Sequence, residues 1–394
     1  MRVPGGLLTV AAVAFAVSAQ EIPPASDTEE RPPHEVTAGI RSVVSRMQSS
    51  IRREDSGAYM LAVDTLDPVF AEEQRKWARD FTVFPIDSVE VRVMAGSARP
   101  GQSIGIPGDL WVAPIWFGWT LPGEDERRTD AYLARFRPIG LVTGAWVFSG
   151  RVWERHPADG VRLLHAPDDR DAAEMAEYLA DHVGRLREAV EAELGETLPL
   201  DPTIKIYPDM ESLQASIALS YTTPLGGWNE PGESIKLLSR PGAAGPRLDV
   251  TVAHELGHAV SFEWGDAIVD APWWALEGIA EVAADPFRSE RFRNAEDAAA
   301  GLARSGGLMA FERLSDFRGE AMDHIRQVYV QGRSMVAYIT GRFGPARRNA
   351  WFGAMGSGRS IDDASRSELG VSFQSLDRAW RTSLVQTDSE ELPD

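Results

Sequence analysis

The first regular pattern along the chain is helical. Ile40, Val43, Val44, Met47 and Ile51 recur at three- and four-residue steps, which predicts an amphipathic helix over residues 35–53. Asp67 followed by Pro68 reads as a cap and a first-turn proline, so a second helix is expected to run through Trp77. From Val89 the period changes. The runs VEVRVMAG, LWVAPIWFGWTL, TDAYLARFRPI, TGAWVFSGRVWE and VRLLHAP are strand-like, broken by Gly, Pro and Asp. Helices followed by several antiparallel strands predict an α+β unit over residues 35–166. Pro167-Asp168-Asp169 then reads as a boundary, with an aspartate capping a long helix over 170–194 that stops at Gly195. A strand at 203–208 (TIKIYP), a helix from Asp209 and a strand at 233–239 (ESIKLLS) follow. The chain is then mostly helical to Val385. This gives a second unit over 167–386 and an acidic tail, TDSEELPD, at 387–394.

The N-terminal unit resembles the nuclear-transport-factor-like fold, a curved sheet wrapped on helices into a cone. The resemblance implies an interior able to take a small apolar ligand, and the tryptophans between Trp111 and Trp153 would suit that role. Ahead of this unit, Arg2 and the apolar run from Leu7 to Ala19 read as an export signal cut near Ala19, so 1–19 is expected to be a leader. The run is short for a full membrane span, which needs about 20 residues. Uncleaved, it would anchor the chain to a membrane. Residues 20–34 (QEIPPASDTEERPPH) are Pro-rich, acidic and aperiodic, as in a flexible linker. The chain is therefore expected to be exported, to the cell envelope or beyond.

Composition narrows the chemistry. With 43% hydrophobic and 25% charged residues in 394, the chain can build two cores. A net charge of −19 argues against a nucleic-acid partner, because phosphate binding needs a basic face. There is no cysteine, which excludes thiol nucleophiles, disulfides and thiolate-held metal. Any metal must be held by His, Asp or Glu.

The stretch VAHELGHAV answers that requirement. It falls within a helix predicted over residues 248–262, where positions four apart share a face and lie about 6 Å apart along the axis. His254 and His258 can thus offer two imidazoles to one cation. Glu255 is turned by roughly 100° from His254, beside the metal but not bound to it, as a general base requires. The spacing is His-Glu-x-x-His. A catalytic zinc takes three protein ligands, so a third is expected downstream. DAPWWALEGIAEV (270–282) supplies Glu277 and Glu281, four apart on a largely apolar helix. Glu277 would meet the metal. Glu281 either receives the ring N–H of a ligand histidine or is a solvated surface acid.

Eighteen residues lie between His258 and Glu277, which is followed by Gly278 and Ala280 and preceded by Trp273-Trp274. This constellation resembles the gluzincin metallopeptidases. WWALEGIAE is particularly similar to their large aminopeptidase branch and to the smaller peptidase MA-like relatives. The resemblance covers about 169–385 and implies a thermolysin-like catalytic domain. It also implies one Zn2+ on His254, His258 and Glu277, with Glu255 as the base acting on a zinc-bound water. The family also uses a Tyr or His toward the oxyanion. QVYVQGRSMVAYITGRFG (327–344) resembles the helix carrying that tyrosine, which assigns Tyr329, with His324 as the alternative. Gluzincins place an edge strand over the cleft, which here falls on Ile235, Lys236, Leu237 and Leu238. An extended peptide would pair there by strand addition. No Gly-x-Met-Glu-Asn-type segment is found, so strict aminopeptidase action is not implied. The expected function is an exported zinc peptidase acting on a peptide or protein. The alternative is a zinc-containing protein that binds peptide or cell-envelope ligands without cutting.

Overall fold

The computed structural model describes residues 33–94, 98–101, 110–139, 145–289 and 295–386. The expected leader, the tail at 387–394 and all but the last two residues of the expected linker lie outside the described residues. Pro33 and His34 already belong to the first helix.

The chain opens with α1 (Pro33–Arg52), α2 (Ser56–Met60) and α3 (Pro68–Val83). α1 buries the face expected of it, Ile40, Val43, Val44, Met47 and Ile51. Asp67 caps α3 by accepting from the backbone N–H of Val69 and Phe70. The helix runs past Trp77 because Ala78 and Phe81 continue its buried stripe. It stops at Phe84, where the following Pro85 disfavours helical backbone.

Then come β1 (Ser88–Val93), β2 (Arg99–Gly101), β3 (Leu110–Thr120), β4 (Arg128–Pro138) and β5 (Trp146–Arg151). They form one antiparallel sheet ordered β1-β3-β4-β5, with β2 also on β3. Its interior joins α1–α3 through Trp111, Trp119, Trp146, Phe117 and Phe148. These tryptophans belong to the core of the unit. The cavity next to them measures about 80 Å³ and is lined by aromatic side chains, Trp77, Phe117 and Trp153 among them, together with the charged groups Glu73, Asp130, Arg151 and Lys205.

β6 (Glu154–His156) and β7 (Arg162–His165) were expected in the first unit, but they belong to a second sheet. The rest of that sheet is β8 (Thr203–Tyr207), β9 (Gly227–Trp228) and β10 (Ile235–Leu238), in the order β6-β7-β8-β10-β9. α4 (Arg170–Leu194) joins the parallel pair β7–β8, and α5 (Met210–Ile217) follows β8. The boundary at 166/167 is therefore two strands late, and the chain crosses between sheets after Arg151. Residues 167–169 are a turn inside one strand–helix–strand unit. Asp168 takes a left-handed φ of 61° there and Asp169 caps α4. A turn signal marks a local reversal, which a sequence cannot tell from a change of unit.

The remaining helices are α6 (Pro246–Ser261), α7 (Trp273–Ala284), α8 (Ala295–Arg304), α9 (Ile325–Phe343), α10 (Pro345–Gly356), α11 (Ile361–Ala364) and α12 (Phe373–Gln386). α7 is wedged between α6 and α9. A Cβ on Gly278 would sit 2.5 Å from the carbonyl oxygen of Gly332, and one on Gly257 would be 2.9 Å from the Cα of Ala280. Only glycine allows backbones this close. Around the wedge, Trp274, Trp351 and Trp380 are fully buried. The indoles of Trp351 and Trp380 donate to Ser365 and Ser334, both at 3.0 Å.

The two units meet along α3. Its Glu73 accepts from Lys205 Nζ at 2.5 Å and from Ser234. Burial alone would raise the Glu73 pKa, but Lys205 and Lys236 hold it below the ordinary carboxylate value.

Gly332→Ala should force α7 and α9 apart. Overpacking of this kind costs about 1–3 kcal/mol, so the urea midpoint should fall. An unchanged midpoint would show that the close approach is not a constraint.

Candidate metal centre

Three elements build the site. α6 buries Leu248, Val252, Ala253, Leu256 and Val260 in the core and turns His254 and His258 toward α7. α7, with Pro272 at its N-cap, returns Glu277 to the same point. α9 brings Tyr329 alongside.

The Nε2 atoms of His254 and His258 are 3.2 Å apart. Glu277 Oε2 lies 3.2 Å from the first and 3.6 Å from the second. Four ligands 2.0–2.1 Å from a tetrahedral centre stand about 3.3 Å apart along each edge, so the three atoms already have the separations of zinc ligands. The charges agree with this. Glu277 Oε2 is buried with no donor in good hydrogen-bond geometry, although both imidazoles and the Tyr329 phenol face the carboxylate. That is a costly state for a carboxylate oxygen unless a cation meets it. Burial alone would raise its pKa, but His258 and His254 hold it well below the ordinary value. The other oxygen, Oε1, accepts from the Trp273 indole at 2.7 Å. His254 has a carboxylate at both nitrogens, Glu277 at Nε2 and Glu281 at Nδ1 (3.1 Å). Burial lowers its pKa, and the two carboxylates raise it well above the usual imidazole range. A neutral ring has one N–H and can satisfy only one of them. A dication at Nε2 satisfies the other, so the donor set fits zinc.

Glu281 is not a solvated acid. It is largely buried and accepts from Arg288 at 2.5 Å while facing His254. Glu255 is buried beside the cluster, outside the three-ligand set. Burial raises its pKa, with His254 and His258 opposing. Its carboxylate lies against Gly227, where a Cβ would overlap Oε1, and Asn229 Nδ2 donates to its carbonyl at 3.2 Å. The Tyr329 ring stacks on His254 with centroids 5.8 Å apart. Burial, then the charges of Glu277 and Glu255, push its phenol well above the ordinary value. The phenol is therefore a proton-bearing donor at working pH.

His324 ends a short helical turn, 3.7 Å from Glu320, and Tyr329 lines the cleft. One expectation is corrected. Ile235, Lys236, Leu237 and Leu238 are buried, and β10 is paired on both sides, to β8 and to β9. It cannot receive a substrate strand. The edge toward the cleft is β9, whose two residues are too few to show any periodicity in the sequence. Trp273, Arg288, Gly227 and Asn229 are contributors that sequence reading did not assign. Trp273 carried a signal, an indole four residues before Glu277 on one helix face, and the other three carried none.

The cleft over these groups has a volume of about 1110 Å³. It is lined by His254, Glu255 and Tyr329 and also by Asp80, Val83 and Phe84 of α3. No described helix is long and apolar enough to cross a membrane.

No protein-family model and no curated protein matches the chain. Among solved structures, it is similar to native yeast LTA4 hydrolase, with a TM-score of 0.36, 10% identity and coverage of 70% of this chain and 55% of that one. It is also similar to native leukotriene A4 hydrolase from Saccharomyces cerevisiae, with a TM-score of 0.35, 10% identity and coverage of 69% and 54%. The chain spans about half the length of the proteins it matches.

Proposed function

We propose that the chain is a zinc-dependent peptidase in which His254, His258 and Glu277 hold the metal and Glu255 is the general base. The observation that carries this is the near-tetrahedral spacing of three ligand atoms with a fourth acid, Glu255, buried beside them and free of ligand duty. Zinc bound there supplies positive charge that polarises a carbonyl and lowers the pKa of water from 15.7 to about 7.

The protein's own groups do the rest. Glu255, buried beside the cluster and outside the ligand set, takes the proton of the attacking water and returns it to the leaving nitrogen. Tyr329 donates its O–H to the carbonyl oxygen as that oxygen becomes anionic. Glu281, fixed by Arg288, holds the ring of His254 in orientation. Gly226 O already accepts from Leu238 N in the sheet. In an antiparallel ladder the polar groups of the next residue, Gly227, then point outward, where an extended peptide would pair. The order of helices and antiparallel strands in residues 33–151 supports a nuclear-transport-factor-like reading of the N-terminal unit. The apolar run near the N-terminus supports export.

Three substitutions separate the roles. Glu255→Gln should keep about one zinc per chain and lower peptide cleavage by at least the ~10²–10⁴-fold typical of a lost acid–base group. His258→Ala should lose both metal and turnover. Tyr329→Phe should lower kcat by about 10²–10³-fold, as for a lost oxyanion donor, with metal content unchanged. Atomic absorption and digestion of a mixed peptide library read all three. Full activity in Glu255→Gln would overturn the mechanism, and a metal-loaded wild type that cuts nothing would leave a binding protein.

A further inference from the structure

α3 belongs to the N-terminal unit, yet its last turns form a wall of the cleft that holds the metal cluster. Two of the exposed large apolar residues lie there, Val83 at 58% and Phe84 at 38%, while Phe70, Trp77 and Phe81 of the same helix are buried in its own unit. The wall is fixed to the catalytic unit by a charged clasp. Asp80 accepts from Arg318 at 2.9 Å and from Ser220 Oγ at 2.7 Å. The Arg318 guanidinium lies over the Phe84 ring, 4.2 Å from its centre. Lys76, one turn earlier, donates to the carbonyl of Pro231 at 2.8 Å, close to the β9 edge. Met322 and the exposed Ile325 add apolar surface to the same cleft. Ligand sites are mostly apolar clefts with a few fixed polar groups, often between domains, and this wall has that composition.

We propose that Val83 and Phe84 form a subsite for a bulky apolar side chain of the peptide substrate, and that the Asp80–Arg318 pair positions it. The N-terminal unit is then a specificity wall of the active site. This rests on the peptidase reading above, because a peptide lying along β9 is what brings a side chain to α3.

The test is digestion of a peptide library by the zinc-loaded full chain, compared with Phe84→Ala, Val83→Ser, Arg318→Ala and Arg318→Lys. The wild type should favour a bulky apolar residue at one fixed position from the cut. Phe84→Ala, Val83→Ser and Arg318→Ala should each lower kcat/KM for such peptides by about tenfold, through KM, and lower it less for peptides with a small residue there. Arg318→Lys, which keeps a charge opposite Asp80, should recover part of the preference. In a Glu255→Gln background, Phe84→Ala should weaken the Kd of the uncut apolar peptide by a similar factor. If Phe84→Ala fails to fold, Val83→Ser and Arg318→Ala decide the matter. Cleavage by the wild type with no such preference, or variants keeping the wild-type profile, would overturn this proposal and leave the peptidase intact. A zinc-loaded wild type that cuts no peptide would overturn both.

Discussion

A carboxylate buried between two imidazoles is the constraint around which the C-terminal unit is arranged. Glu277 sits on an apolar helix, has an oxygen with no donor in good hydrogen-bond geometry, and is held ionised by His254 and His258. Placing that acid inside a core is unfavourable unless a cation compensates it. Three helices must then hold their positions within roughly 0.5 Å. The contacts of Gly257 with Ala280 and of Gly278 with Gly332 allow that approach, and the buried tryptophans around α7 lock it.

The same constraint explains which neighbours matter. Trp273 occupies one oxygen of Glu277, so the other is left for the centre. Arg288 fixes Glu281, whose carboxylate stands 3.1 Å from Nδ1 of His254. Gly227 leaves room for the Glu255 carboxylate. Each contact removes a degree of freedom from a group whose chemistry depends on where it points.

Much of this was legible in the sequence because helices convert spacing into geometry. His254 and His258 are four apart, α4 begins and ends at the predicted caps, and Glu277 is an acid on an apolar helix. What was not legible depends on contacts between distant segments. The boundary placed at 166/167 was a helix-capping turn, and nothing local in β6 or β7 says which sheet they join. Ile235–Leu238 reads as a strand in either case, but whether its edge is open depends on β9, two residues with no pattern of their own. The placing of Asp80 and Phe84 in the cleft over the metal cluster required the packing of one unit on the other, across more than 200 residues of sequence from Arg318.

X-ray absorption at the zinc edge on the purified full chain tests the central claim most directly. The account predicts one tightly held zinc with two imidazole nitrogens at about 2.0–2.1 Å and carboxylate oxygen in its first shell. A chain that retains no zinc at equimolar metal, or whose zinc shell contains no histidine, would contradict it.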